Sequence, residues 1–140
     1  MNKPPTSLAL TWTDGLAFRT ETPDGRTLVT DGDGRAGPSP VELLATATAA
    51  CMGVDLVHIL VKARQPLEGL RVSFTGERSQ TEPHRFTAIH LEFTIAGAVG
   101  RAQVDRAVQL SRDRYCSVWN SLREDITLDV ITRITAGTEP

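Results

Sequence analysis

The stretch Ser39-Pro40-Val41-Glu42-Leu43-Leu44-Ala45-Thr46-Ala47-Thr48-Ala49-Ala50-Cys51-Met52-Gly53-Val54-Asp55-Leu56-Val57-His58-Ile59-Leu60-Val61-Lys62-Ala63-Arg64 reads as one long helix. Ser39 supplies an N-cap, Pro40 suits the first helical position, and Glu42 places an anion at the positive end of the dipole. Gln65-Pro66 stops the helix, because proline offers no N–H and keeps the preceding residue out of the helical region. Apolar side chains from Leu43 to Val61 cover nearly the whole circumference, and a helix that is apolar all round must be buried all round. At 1.5 Å per residue it is roughly 38 Å long. The radius of gyration for a chain of this size is only about 14 Å. One such domain can hardly wrap the helix alone, so the sequence predicts that a second copy covers part of it, in an intertwined or tightly packed homodimer.

On the N-terminal side, Ser7 to Trp12 alternates, Asp14-Gly15 turns the chain, and Leu16 to Glu21 alternates again. Pro23-Asp24-Gly25 is a second turn, and Arg26 to Thr30 gives a third strand, completing an antiparallel meander. Asp31-Gly32-Asp33-Gly34-Arg35-Ala36-Gly37-Pro38 is a glycine-rich loop. Its two aspartates stand at a metal-loop spacing, but the later glutamate of a calcium loop is missing, which favours a plain connection. On the C-terminal side, Leu70 to Ser79 and Arg85 to Ala96 alternate as strands around the hairpin loop Thr81-Glu82-Pro83-His84. Gly100 to Tyr115 is an amphipathic helix, Cys116 to Glu124 a short further helix, and Ile126 to Thr135 a last strand. The order implies one α+β domain over residues 1–140, with mostly antiparallel sheet packed on the buried central helix.

At 140 residues the chain can build a core without staples. A net charge of −2 and a pI near 5.9 give no electrostatic reason to expect nucleic acid or an anionic membrane. The longest uncharged run, Leu43 to Val54, is well short of the roughly 20 residues that span a bilayer. No apolar segment follows Met1-Asn2-Lys3-Pro4-Pro5, so no secretory signal is read and a cytoplasmic location is expected. Nothing calls for a cofactor.

Two cysteines, Cys51 and Cys116, carry the chemistry the sequence suggests. In a reducing compartment such a pair is more often free or catalytic than a permanent staple. The nucleophile is the thiolate, and an ordinary thiol is only a few per cent ionised at neutral pH. Cys116 falls where a last helix would begin, and unpaired N–H groups there favour an anion. Cys51 lies about three turns into its helix and needs help from elsewhere. Two readings of it stand side by side: a small apolar residue in close helix packing, or a reactive thiol. His58, His84 and His90 are scattered, and no close-spaced ligand pair of the zinc kind is read. His58 is read as a helix residue with a partner, His84 as a loop residue, and His90 as lying on the polar side of its strand.

Ser39-Pro40-Val41-Glu42-Leu43-Leu44, the alanine-rich turns leading to Cys51, and Tyr115-Cys116-Ser117-Val118 together resemble the OsmC-like family, which includes the organic hydroperoxide resistance proteins. The resemblance spans nearly the whole chain. Val57 to Gln65, followed by Glu77-Arg78, looks most like a less characterised branch of that family. It implies an interlocked homodimer with sites at the subunit boundary, and a thiol-dependent peroxidase acting on organic hydroperoxides. The cysteine matching Cys51 becomes a sulfenic acid, the one matching Cys116 condenses with it, and a dithiol reductant reopens the disulfide. In the characterised peroxidases an acidic residue stands ten positions before the first cysteine. Here that position is Val41, and Glu42 is the neighbouring acid. Those proteins also carry an arginine close after the first strand, to stabilise the thiolate; Arg19 is the nearest candidate in this chain, with Arg26 and Arg35 as further substitutes.

Two other functions fit the same sequence. One is a non-catalytic dimer that binds a small apolar ligand between subunits. The other is a redox sensor whose disulfide forms once, without turnover.

Overall fold

The computed structural model describes residues 2–136. The chain forms two compact units, Met1–Leu44 and Ala45–Pro140.

In the first unit, strands β1 (Ala9–Asp14), β2 (Ala17–Glu21) and β3 (Thr27–Asp31) form an antiparallel sheet in the order β1-β2-β3. This is the meander expected from the alternation. Gly15 and Gly25 take positive φ at the two turns, which explains glycine there. Trp12 pairs with Phe18, and Leu10 and Leu28 both flank Thr20, so these four large side chains share one face. That face is bare; Trp12 is 63% exposed. In the glycine-rich loop, the Asp31 carboxylate accepts the backbone N–H groups of Asp33 and Ala36 at 2.9 and 3.0 Å. Those bonds, that of Ala36 foremost, hold its carboxyl below the usual range. Asp31 is therefore what shapes the turn.

Helix α1 (Pro40–Lys62) leads from the first unit into the second. It opens with a reciprocal capping box. The Ser39 N–H donates to Glu42 Oε1 at 3.0 Å, and the Glu42 N–H donates to Ser39 Oγ at 3.2 Å. By length and apolarity alone this helix would cross a bilayer. Instead, Met52, Leu56 and Leu60 are fully buried, in one cluster with strand residues of the second unit. The opposite stripe is uncovered, with Val54 67% and Val61 59% exposed. One chain thus buries one side of a helix that is apolar on both.

The second unit contains β4 (Gly69–Arg78), β5 (Phe86–Ala96) and β6 (Thr127–Thr135), in the order β4-β5-β6. β4 runs antiparallel to β5, whereas β6 lies parallel to it, one parallel pair in an otherwise antiparallel fold. The parallel pairing follows from the connection: helix α2 (Arg101–Leu110) and the turns after it carry the chain back across the sheet before β6 starts. Along β5, Ile89, Leu91, Phe93 and Ile95 point into the core and alternate with His90 and Glu92 on the outer face. Val104 and Ala107 of α2 close the cluster. The expected single helix from Gly100 to Tyr115 is α2 continued by a π-helical turn, Ser111–Tyr115. The expected helix from Cys116 to Glu124 shrinks to a single 3-10 turn, Trp119–Ser121.

Candidate active site

Cys51 and Asp55 stand four residues apart on α1, so their side chains lie one above the other on the same side of the helix. Cys116 reaches them from the far end of the π-helical turn. The Cys51 sulfur, a carboxylate oxygen of Asp55 and the Cys116 sulfur all lie within 4.8 Å of one another. Residues 65 positions apart in sequence are thereby joined, and both cysteines are free thiols. Cys51 is half-buried and Cys116 is fully buried. Cys51 is thus the more exposed residue of the two.

Ser111 is the joint of the site. It is fully buried, and its hydroxyl donates to Asp55 Oδ2 at 2.7 Å. Its carbonyl oxygen accepts the Cys116 N–H at 2.8 Å, which closes the wide ring of a π turn. Such one-turn insertions recur at functional sites, because the extra residue re-aims the side chains that follow. Here it delivers Cys116 to the face of α1 that carries Cys51.

Cys116 does sit at the head of a helical turn. The Trp119 N–H donates to its sulfur at 3.3 Å, and its carbonyl accepts the Asn120 N–H at 3.0 Å. The expected gain in acidity does not follow. Burial pushes the thiol up to about 12; the Trp119 N–H pulls it back, while the neighbouring Cys51 and Asp55 add to the rise. One N–H of a single 3-10 turn is too weak a dipole to offset complete desolvation. The acidity expected of Cys116 from its place at a helix start is therefore overturned.

Arg19 and Glu42 lie in the first unit. Arg19 pairs with Glu21 at 3.1 Å, and Glu42 completes the cap of α1. The histidines divide as follows. His58 is exposed on α1; His84 is a loop residue, bonded through Nδ1 to the Ser79 carbonyl at 2.9 Å; His90 stands on the polar face of the sheet between Glu77 and Asp129.

Sequence reasoning missed Asp55 and Ser111. The signal for Asp55 was available: it is an acid one turn beyond a cysteine, ending the longest uncharged run of the chain. Ser111 carried none, because nothing in Leu110-Ser111-Arg112 announces a π turn. The Cys51–Asp55 spacing is also a ligand-type pair that no reading of the cysteines and histidines alone would find. With Cys116 it makes three donor groups, one fewer than a structural zinc site uses.

An open apolar groove of about 750 Å³ runs along the bare stripe of α1. Ala50, Val54, Val57 and Val61 form its floor, with His58 and Lys62 as its polar members.

The family described as OsmC-like protein matches residues 31–131 of this chain. Protein YhfA of Escherichia coli strain K12 is 38% identical over 119 residues, covering 84% of this chain and 89% of its own. A crystal structure of a hypothetical protein from Aquifex aeolicus VF5 superposes with a TM-score of 0.88 at 25% identity, over 96% of this chain and 99% of the other. An organic hydroperoxide resistance protein OsmC from Legionella pneumophila shares the fold, with a TM-score of 0.68 at 20% identity over 93% and 98% of the two chains.

Proposed function

This chain belongs to the OsmC-like protein family, and from that membership and its thiol geometry we propose that it is a thiol-dependent peroxidase that reduces organic hydroperoxides. The observation that carries the reading is the pairing of a half-buried Cys51 with a fully buried Cys116, their sulfurs within 4.8 Å of each other.

The division of labour follows from access and acidity. Cys51 meets the hydroperoxide: its thiolate attacks the terminal oxygen, the O–O bond breaks, an alcohol leaves with a proton, and Cys51 is left as a sulfenic acid. Cys116, screened from solvent, is spared oxidation and waits as the resolving thiol. Its sulfur displaces the sulfenic hydroxyl, giving a disulfide and water. A dithiol reductant then reopens the bond, so one hydroperoxide and one dithiol become alcohol, water and a reductant disulfide. The reading places the protein in the cytoplasm, where such a reductant is kept reduced.

The working unit in this proposal is a homodimer. Two apolar faces support it: the α1 stripe of Val54, Val57 and Val61, and the meander face of Leu10, Trp12, Phe18 and Leu28. Surfaces of this kind on a single chain mark an interface. Sedimentation of the pure protein at the mass of one chain would remove this part of the reading.

The groove along α1 favours a second reading, in which the protein holds a small apolar ligand without turning it over. Peroxide consumption separates the two. The proposal expects cumene hydroperoxide to be consumed in the presence of a dithiol, with an intramolecular Cys51–Cys116 disulfide on the path, and expects Cys51→Ser to abolish both. Full turnover in Cys51→Ser would refute it. Thiols that stay reduced under peroxide, together with a copurifying apolar molecule, would favour the binding reading.

A further inference from the structure

We propose that Asp55 is the proton acceptor for Cys116 when the two sulfurs join, a further catalytic residue of the site. The proposal rests on the peroxidase reading for the natural oxidant, but not for the proton transfer itself.

Geometry carries it. Asp55 is one turn beyond Cys51 on α1, and its carboxylate lies within 4.8 Å of both sulfurs. The Ser111 hydroxyl fixes that carboxylate from the same turn that delivers Cys116. A carboxylate accepts at two oxygens, so this one bond orients the group without exhausting it. The Cys116 sulfur is fully buried, so bulk water does not reach it to take its proton. Its thiol form also persists to about 12. A thiol must lose its proton to attack. Among the described residues the titratable groups placed with Cys116 are Cys51 and Asp55, and Cys51 is its reaction partner.

The step balances. The Cys116 sulfur forms a bond to the Cys51 sulfur as the Cys51 S–O bond breaks. Cys116 is oxidised, the sulfenic sulfur is reduced, and the proton from Cys116 passes through Asp55 to the departing hydroxyl, which leaves as water. Asp55 ends as it began.

An aromatic disulfide such as Ellman's reagent isolates the proton removal from any peroxide chemistry. Accessible Cys51 releases one aromatic thiolate and becomes a mixed disulfide; Cys116 then displaces the second thiolate, which needs no proton to leave. In Asp55→Asn the first phase should not slow, since a carboxylate that repels the anionic reagent beside Cys51 is removed. The second should slow about 100-fold, the usual yield of a positioned base. It should also climb about tenfold per pH unit between pH 7 and 9, where the wild-type phase is nearly flat. A loss of packing alone would not create that slope. Asp55→Glu should restore part of the rate, and Ser111→Ala, which frees the carboxylate without removing it, should slow the second phase about tenfold while keeping the wild-type slope. If Asp55→Asn does not fold, Ser111→Ala stands alone as the test. A second phase unchanged in whichever variants fold, or a wild-type protein that releases only one thiolate, overturns the proposal. Failure of the peroxidase reading would look different: both phases intact, but no hydroperoxide consumed.

Discussion

The Ser111 hydroxyl donates to the Asp55 carboxylate at 2.7 Å, tying a π-helical turn to the middle of a helix 56 residues earlier in the chain. The same residue's carbonyl holds the Cys116 N–H, so one buried serine sets the approach of a carboxylate and a thiol at once. Ser111→Ala should lower stability by about 2 kcal/mol, because a hydrogen bond to a carboxylate is lost. Urea unfolding of the reduced protein measures this. A variant within 0.5 kcal/mol of wild type would mean that the bond contributes nothing net.

Cys116 links stability to alkaline pH. Its folded thiol ionises only near 12, whereas in the unfolded chain it ionises near 8.5 as thiols ordinarily do. A group raised in this way leaves stability untouched below the unfolded value and costs stability as pH climbs towards the folded one. The reduced protein should therefore weaken steadily above about pH 9, and Cys116→Ser should weaken less over that window. Parallel curves for the two proteins would contradict the assignment. Iodoacetamide at neutral pH should correspondingly label Cys51 well ahead of Cys116.

Glu42 offers a contrast between a residue's sequence role and its local bonds. Its carboxyl is held below the ordinary range first by the Ser39 N–H, which is the work of a helix cap. Glu42→Gln should reduce Tm by a few degrees and leave the rate of Cys51 modification within twofold. A tenfold slower Cys51 with unchanged Tm would instead support Glu42 as the counterpart of the acidic residue that the resemblance implies. Arg19→Ala, which releases the Glu21 pair, is the matching test of thiolate stabilisation.

Much of this fold was legible because local signals agreed with the final structure. Gly15 and Gly25 marked turns, the Ser39-Pro40-Glu42 cap marked α1, and the alternation around His90 marked β5. The parallel placement of β6 was not legible, since strand direction depends on where the chain re-enters the sheet rather than on the strand's own residues. The site was half visible. Two cysteines announced a thiol pair, but the acidity of Cys116 was misjudged, because its burial comes from its place in the hydrophobic core, which no residue near it in sequence reports. Asp55 hid inside an apolar run and Ser111 inside a polar one, and only folding brings them together.

His90 supplies the remaining pH handle, on the outer face of the second sheet. Its Nε2 lies 3.4 Å from Glu77 on β4, and its Nδ1 lies 3.6 Å from Asp129 on β6. The hydrogen bond to Glu77 does most to raise the imidazole above its ordinary value; burial opposes it, and Asp129 adds to the rise. A histidine raised on folding contributes stability that is fully present below its unfolded pKa and is lost as pH rises through the folded one. The protein should thus gain stability from this group at pH 6 relative to pH 8. The pair is solvent-exposed, so 0.5 M salt should shrink the gain. Thermal unfolding of wild type and His90→Gln at the two pH values isolates the contribution, and an NMR titration should place His90 above the ordinary histidine value. A His90→Gln variant with the same pH 6 to pH 8 difference in Tm as wild type would show that the two carboxylates do not hold the proton.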